Sequence, residues 1–153
     1  MDISDLDAEE VKAILEMTEG HYLDFKRKEI KPGKLSETIS AFANASGGEV
    51  FLGVAQDDIG SSTAHRWDGF HEPEAANAHI QALESLGALG NHYQANFLRS
   101  PSTGGLVLHL VIPKTKGILK ATDGHAYVRR NAQNIRIDTH SRRERSGRFR
   151  SSG

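Results

Sequence analysis

The chain contains no cysteine. That absence excludes disulfides, thiolate metal sites, cysteine-rich zinc fingers and any cysteine nucleophile. No apolar run approaches the roughly 18–20 residues that a membrane span requires. The opening residues, MDISDLDAEE, are acidic where a signal peptide would be basic and then apolar. Cytoplasmic residence with no membrane partner is therefore the expectation. Internal repeats are missing as well. The eight histidines show no HxxxH or HxH spacing, so they read as scattered surface or hydrogen-bonded residues. Ser/His/Asp catalysis has no nucleophile motif behind it. The formal net charge of −1 predicts no nucleic-acid partner by itself.

What is present is an ordinary globular composition, 37% hydrophobic and 25% charged over 153 residues, enough for one domain with its own core. The charge is unevenly distributed. Residues 1–24 hold eight acids against Lys12, whereas residues 26–34 hold Lys26, Arg27, Lys28, Lys31 and Lys34 against Glu29. The segment from Arg142 to Arg150 holds five arginines against Glu144. Segregation of this kind permits local basic surfaces that attract phosphates. We read residues 1–138 as the domain and 139–153 as a basic tail, or a linker to a following domain.

Asp7 and Glu10 form a capping-box pattern, and Val11, Ile14 and Leu15 follow at helical spacing, which predicts a helix over 8–18. Residues 21–27 alternate as a strand, with Leu23 and Phe25 on one face and Tyr22, Asp24 and Lys26 on the other. After the break at Pro32-Gly33, Leu35, Ile39, Phe42 and Ala43 make one helical stripe that ends at Gly47-Gly48. Residues 49–54 make a second strand, so a strand–helix–strand unit with parallel strands is expected. Residues 57–70 read as a polar loop carrying Trp67 and Phe70, and 72–86 as a third helix. Strands follow at 93–99 and 106–112, then two short ones at 118–121 and 126–130 around Asp123-Gly124. The sum is an α+β fold, a mixed sheet of about six strands with about three helices.

The stretch Glu19 to Lys26 carries the sharpest chemical signal. Strand period places Asp24 and Lys26 on one side, aimed at one pocket, and Glu19 stands at the strand's entry. Carboxylates are the hard oxygen ligands that Mg²⁺ or Mn²⁺ prefers, and a neighbouring lysine can stabilise charge on a phosphate. An exposed ion pair on a strand face gives the same pattern without chemistry. The glycines at 47 and 48 follow a helix and present carbonyls, not the N–H groups a phosphate needs, so no nucleotide-binding loop is read here. Trp67 and Phe70 offer either base stacking or an anchor on the core.

A neighbouring motif adds to this. Ser40-Ala41-Phe42-Ala43-Asn44-Ala45-Ser46-Gly47-Gly48, followed by Phe51-Leu52-Gly53-Val54, resembles the signature of the Schlafen/AlbA-like domain family. That family pairs an E-x4-E-F-K strand with AFAN-x-x-GG, then I-G-V and a later Y-x-R strand. Glu19 to Lys26, Ala41 to Gly48, Asp57-Asp58 and Tyr127-Val128-Arg129 occur here in that order, over about residues 8–137.

The resemblance implies nucleic-acid binding, RNA ahead of DNA. In some members it implies divalent-metal-dependent endonuclease cleavage of structured RNA such as tRNA. By position it assigns Glu19, Asp24 and Asp57, or else Asp58, as the carboxylates for Mg²⁺ or Mn²⁺, with Lys26 on the scissile phosphate. Lys26, Arg27, Lys31, Lys34, Arg129 and Arg130 become the backbone contacts. It also allows a homodimer, since such domains often pair to form a groove. Three positions depart from the pattern. Asp24 is one methylene shorter than the usual Glu, about 1.5 Å of reach; Ala55-Gln56 stand where an acid is common; Asn131 stands where glycine is common. The family's cysteine-bound zinc site has no ligands here. Two functions follow: a metal-dependent hydrolase acting on RNA, or a non-catalytic nucleic-acid-binding module of a regulator or multi-domain defence protein.

Overall fold

The computed structural model describes residues 1–90 and 92–137; the arginine-rich segment from 139 onward, expected to be a tail, lies outside the described residues. Asp7 caps the first helix, α1 (Ala8–Leu15), as its spacing predicts. Its carboxylate accepts the Glu10 N–H at 2.8 Å, and Glu10 returns the bond to the Asp7 N–H at 3.0 Å. The expected strand–helix–strand unit follows as β2 (Leu23–Lys26), α2 (Pro32–Ala43) and β3 (Gly48–Leu52). Pro32 stands in the first turn of α2, where its missing N–H costs nothing. β2 and β3 pair in parallel, with Asp24 opposite Val50 and Phe25 opposite Phe51.

Two antiparallel strands, β6 (Gln94–Arg99) and β7 (Leu106–Ile112), complete most of the main sheet. An edge strand that the sequence reading did not include, β1 (Ile3–Asp5), adds in parallel to β6. The order across this five-stranded sheet is β1-β6-β7-β3-β2. One face carries Val50, Leu52, Leu108 and Leu110 against Leu35, Ile39 and Phe42 of α2 and Leu83 of α3 (Asn77–Glu84). The other face carries Phe25, Phe51, Leu98 and Val107 under Val11, Ile14 and Leu15 of α1. Burying each of these large side chains contributes about 1.5–3 kcal/mol, so both layers hold the sheet.

Three expectations are corrected. Residues 57–70 are not a loop: β4 (Val54–Ile59) and β5 (Ser62–Trp67) form an antiparallel hairpin with Ile59 opposite Ser62. The strand at 126–130, β8 (Ala126–Arg130), pairs not with 118–121 but with β9 (Gln133–Ile137), which the sequence reading also did not include. Only a single bridge, Lys120 to Ala126, remains of the expected hairpin. The turn that joins β8 and β9 places Asn131 at φ 53°. Asparagine tolerates that left-handed geometry better than most residues, which accounts for its standing in a glycine position. The third helix opens with a 3₁₀ turn, Pro73–Ala76, before α3 begins. Among the described residues there are thus nine strands, in the main sheet and two hairpins, with three α-helices. No helix among them is long and apolar enough to cross a membrane.

Candidate functional site

Phe42, Ala43, Asn44 and Gly48 of the AFAN-x-x-GG segment serve the fold. Phe42 and Ala43 are buried in the core. A Cβ on Gly48 would stand 2.4 Å from Cδ1 of Phe42, so only glycine lets strand β3 pass that ring. Asn44, at the end of α2, donates to the Leu119 and Tyr127 carbonyls at 2.8 Å each and accepts the Leu119 N–H at 2.7 Å. It clamps the 119–127 segment onto the helix. Ser40 does the same from one turn earlier, donating to the Leu119 carbonyl at 2.8 Å and accepting the Tyr127 N–H at 3.0 Å.

Glu19, Asp24 and Lys26 do come together. Asp24 is 2% exposed, and its Oδ2 lies 3.3 Å from Nζ of Lys26. Glu19 accepts the Phe25 N–H at 3.1 Å and stands beside Asp24. Burial, then the neighbouring Asp24 carboxylate, push the Glu19 carboxyl up to about 7 from the ordinary 4.5, against the pull of the Phe25 N–H and Lys26.

Arg129 stands elsewhere than the open surface expected for a phosphate contact. It is 1% exposed. Its guanidinium donates to Oδ2 of Asp24 at 2.8 Å, Oδ1 of Asn134 at 2.7 Å, and the Gly20 and Leu23 carbonyls at 3.0 and 3.1 Å. It also lies 4.7 Å from the centre of the Phe42 ring. Four of its five N–H groups are therefore used inside the protein. Asp24 serves it as a buried counter-charge. Arg130, one residue on, is exposed on the other face of β8.

Asp57 does not join the pair. On β4, Gln56 shares a face with Val54, which packs on the sheet, so the period of two turns Asp57 outward. There it accepts from Nε of Arg66 at 2.9 Å. Asp58, the other candidate, sits near the hairpin tip, where it accepts from Thr63 at 3.2 Å. Among the described residues no three acidic or histidine side chains gather as a metal's ligand set. Two carboxylates, one of them already held by Arg129 and Lys26, do not fit a divalent cation on their own.

The basic residues fare differently. Lys26, Arg27, Lys31 and Lys34 line one groove of about 570 Å³ at the end of β2, floored by Phe25 and walled by Gln56 and His65 of the hairpin. The first turn of α2 carries no acid, and no side chain among the described residues caps it. Lys34 spends part of its charge on Glu37 at 3.2 Å and Lys26 on Asp24, while Arg27 and Lys31 form no ion pair among the described residues. Trp67 and Phe70 are buried, with Nε1 of Trp67 donating to the Gly105 carbonyl at 2.9 Å, so they anchor the hairpin to the core and stack no base.

Gln56 and His65 were missed because the hairpin was read as a loop. They are cross-strand partners on its inner face. His65 packs 4.3 Å from the Phe25 ring, and its Nδ1 lies 3.3 Å from the Leu15 carbonyl. Gly60-Ser61, a dipeptide that suits a two-residue hairpin turn, was the signal that could have found them.

Comparison with solved structures places this architecture among known folds. It is similar to the solution structure of the N-terminal domain of a protein related to the ATP-dependent DNA helicase RecG, from Nitrosomonas europaea, with a TM-score of 0.55 and 24% identity over 80% of this chain and 84% of that one. It is also similar to the crystal structure of the DIP2311 protein from Corynebacterium diphtheriae, with a TM-score of 0.58 and 16% identity over 90% of this chain but only 27% of that longer one. At these identities the likeness is one of fold. No curated protein matches the chain at a significant level. The family profile described as Schlafen, AlbA_2 matches residues 19–138, from the Glu19 that opens the acid–lysine strand to the end of the last hairpin, and the chain belongs to that family.

Proposed function

We propose that this domain is a nucleic-acid-binding module that grips the phosphate backbone, of RNA ahead of DNA, in the groove at the end of β2. The observation that carries this reading is the convergence of Lys26, Arg27, Lys31 and Lys34 on one groove, beside a helix start free of acidic side chains. Their positive charge and the free N–H groups of that first turn both favour phosphate. Family membership supports the reading, as does the likeness to a domain from a protein named for a DNA helicase. Asp24 then serves as scaffold, holding Arg129 and aiming Lys26.

The test is fluorescence anisotropy of a labelled RNA hairpin and a DNA hairpin across a salt series. Four phosphate contacts, one for each basic side chain, give a log–log salt slope of about −3 to −4. Arg27→Ala and Lys31→Ala should each weaken binding and flatten that slope by about one. A salt-independent interaction, or one indifferent to both substitutions, refutes the reading.

One observation favours a second reading, a divalent-metal-dependent endonuclease on structured RNA such as tRNA: Glu19 and Asp24 stand together beside Lys26. We derive no hydrolytic step, because the third carboxylate is turned away. Incubating labelled tRNA with Mg²⁺ or Mn²⁺ separates the two. Cleavage that needs the metal and is lost in Glu19→Gln would establish the enzyme, whereas binding without cleavage leaves the module.

A further inference from the structure

We infer that the groove takes a single strand and lodges one unstacked base, carrying an exocyclic amino group, in the cavity next to it. This rests on the nucleic-acid reading above and names the form of the substrate. A second cavity, of about 910 Å³, lies between α1, the β4–β5 hairpin and the turn at 100–102. It adjoins the basic groove, since Gln56 and His65 line both. Both volumes fall in the range of small-ligand sites, about 300–1,000 Å³.

The two spaces differ in chemistry. The groove presents four basic side chains against Glu29, whereas among the described residues Lys12 is the only lysine or arginine on the cavity, against the carboxyl groups of Glu16 and Glu19. Phosphates belong in the first and are disfavoured in the second. Leu15 and Met17 give the cavity an apolar wall for a ring face. Glu16, Glu19 and the Gln56 amide offer acceptors to an amino group. Adenine, cytosine and guanine carry such a group; uracil and thymine do not. A strand whose phosphates follow the lysines must lay a base across the Gln56–His65 pair, which borders both spaces, to fill the cavity. A duplex holds its bases paired and stacked, so only an unpaired strand can do this at low cost.

The experiment compares 12-nucleotide oligo-rA, oligo-rC and oligo-rU, and their DNA counterparts, with 12-base-pair RNA and DNA duplexes, by anisotropy at fixed salt. The A and C strands should bind at least tenfold tighter than the duplex and several-fold tighter than the U or T strand. Thr63 is exposed at the cavity rim, and Thr63→Trp fills the space; single strands should then fall to the duplex level, and Gln56→Ala should reduce the base preference. Thermal unfolding of each variant confirms that it is folded. Equal affinity for single strands and duplex, or a Thr63→Trp protein that keeps its preference, overturns this inference and leaves the phosphate-binding groove standing. Failure of every oligonucleotide to bind overturns both.

Discussion

Removing the Asp24 carboxylate should destabilise the fold before it reveals anything about catalysis. Asp24 is 2% exposed and Arg129 1%, and they meet at 2.8 Å. Breaking a buried pair from one side leaves an uncompensated charge at a cost of about 3–5 kcal/mol. For Asp24→Ala, Lys26 offers no relief, because it has the same sign as the orphaned guanidinium. In a domain of this size each kcal/mol lowers Tm by about 2–4 °C, so the midpoint should fall by roughly 6–20 °C. Asp24→Asn keeps an acceptor for Nη1 and should lose less. Arg129→Met leaves Asp24 with Lys26 at 3.3 Å and should also cost less than the full amount. The Asp24→Ala/Arg129→Met double variant removes both charges, and its loss should fall short of the summed single losses by about 2 kcal/mol or more. Urea unfolding followed by circular dichroism measures all four proteins. An Asp24→Ala protein within about 1 kcal/mol of wild type would refute the assignment of Asp24 as a counter-charge.

Three further outcomes are expected. Asn44→Ala should cost about 1–3 kcal/mol in the same unfolding assay, since it leaves the Leu119 N–H without its acceptor and the Tyr127 carbonyl without its amide donor, while the Leu119 carbonyl keeps Ser40; amide exchange at Leu119 should accelerate, and an unchanged rate would contradict the clamp. Gly48→Ala should cost about 1–3 kcal/mol by driving a methyl into the Phe42 ring, and a neutral result would mean the ring moves freely. Between the ordinary 4.5 and about 7, folded Glu19 holds a proton that the unfolded chain has released. Its contribution is therefore full below 4.5 and is lost as pH rises through 7. Solvent screening at this half-buried site holds the effect to the order of 1 kcal/mol. Glu19→Gln should remove that slope from a stability-against-pH series.

The strand–helix–strand unit was legible because local rules agree there: alternation in β2, one apolar stripe along α2, and a glycine pair at its end. The Glu19–Asp24–Lys26 cluster was legible for the same reason, being set by strand period within eight residues. The β4–β5 hairpin was not, because Gln56, Asp57 and Asp58 show no apolar alternation and its inner face meets cavities rather than core. Placing Asp57 by motif order alone ignored the parity that Val54 imposes. One residue of phase separates a side chain over the groove from one in solvent. Arg129 was misplaced for a different cause. Nothing within five residues of it announces burial; its partners Gly20, Leu23 and Asp24 lie more than a hundred residues earlier.

That separation has a consequence for how the chain assembles. The hairpin closes over a handful of residues and can form early, whereas the Arg129 clasp joins residues 105 apart and must await nearly the whole domain. Until then Asp24 has no reason to leave water, and the edge of β2 has no lid. A ribosome-bound chain that has not yet delivered β8 can therefore hold the sheet's other strands but not its acid–lysine edge. Of the main sheet, the β2 edge is the last part to take shape during synthesis.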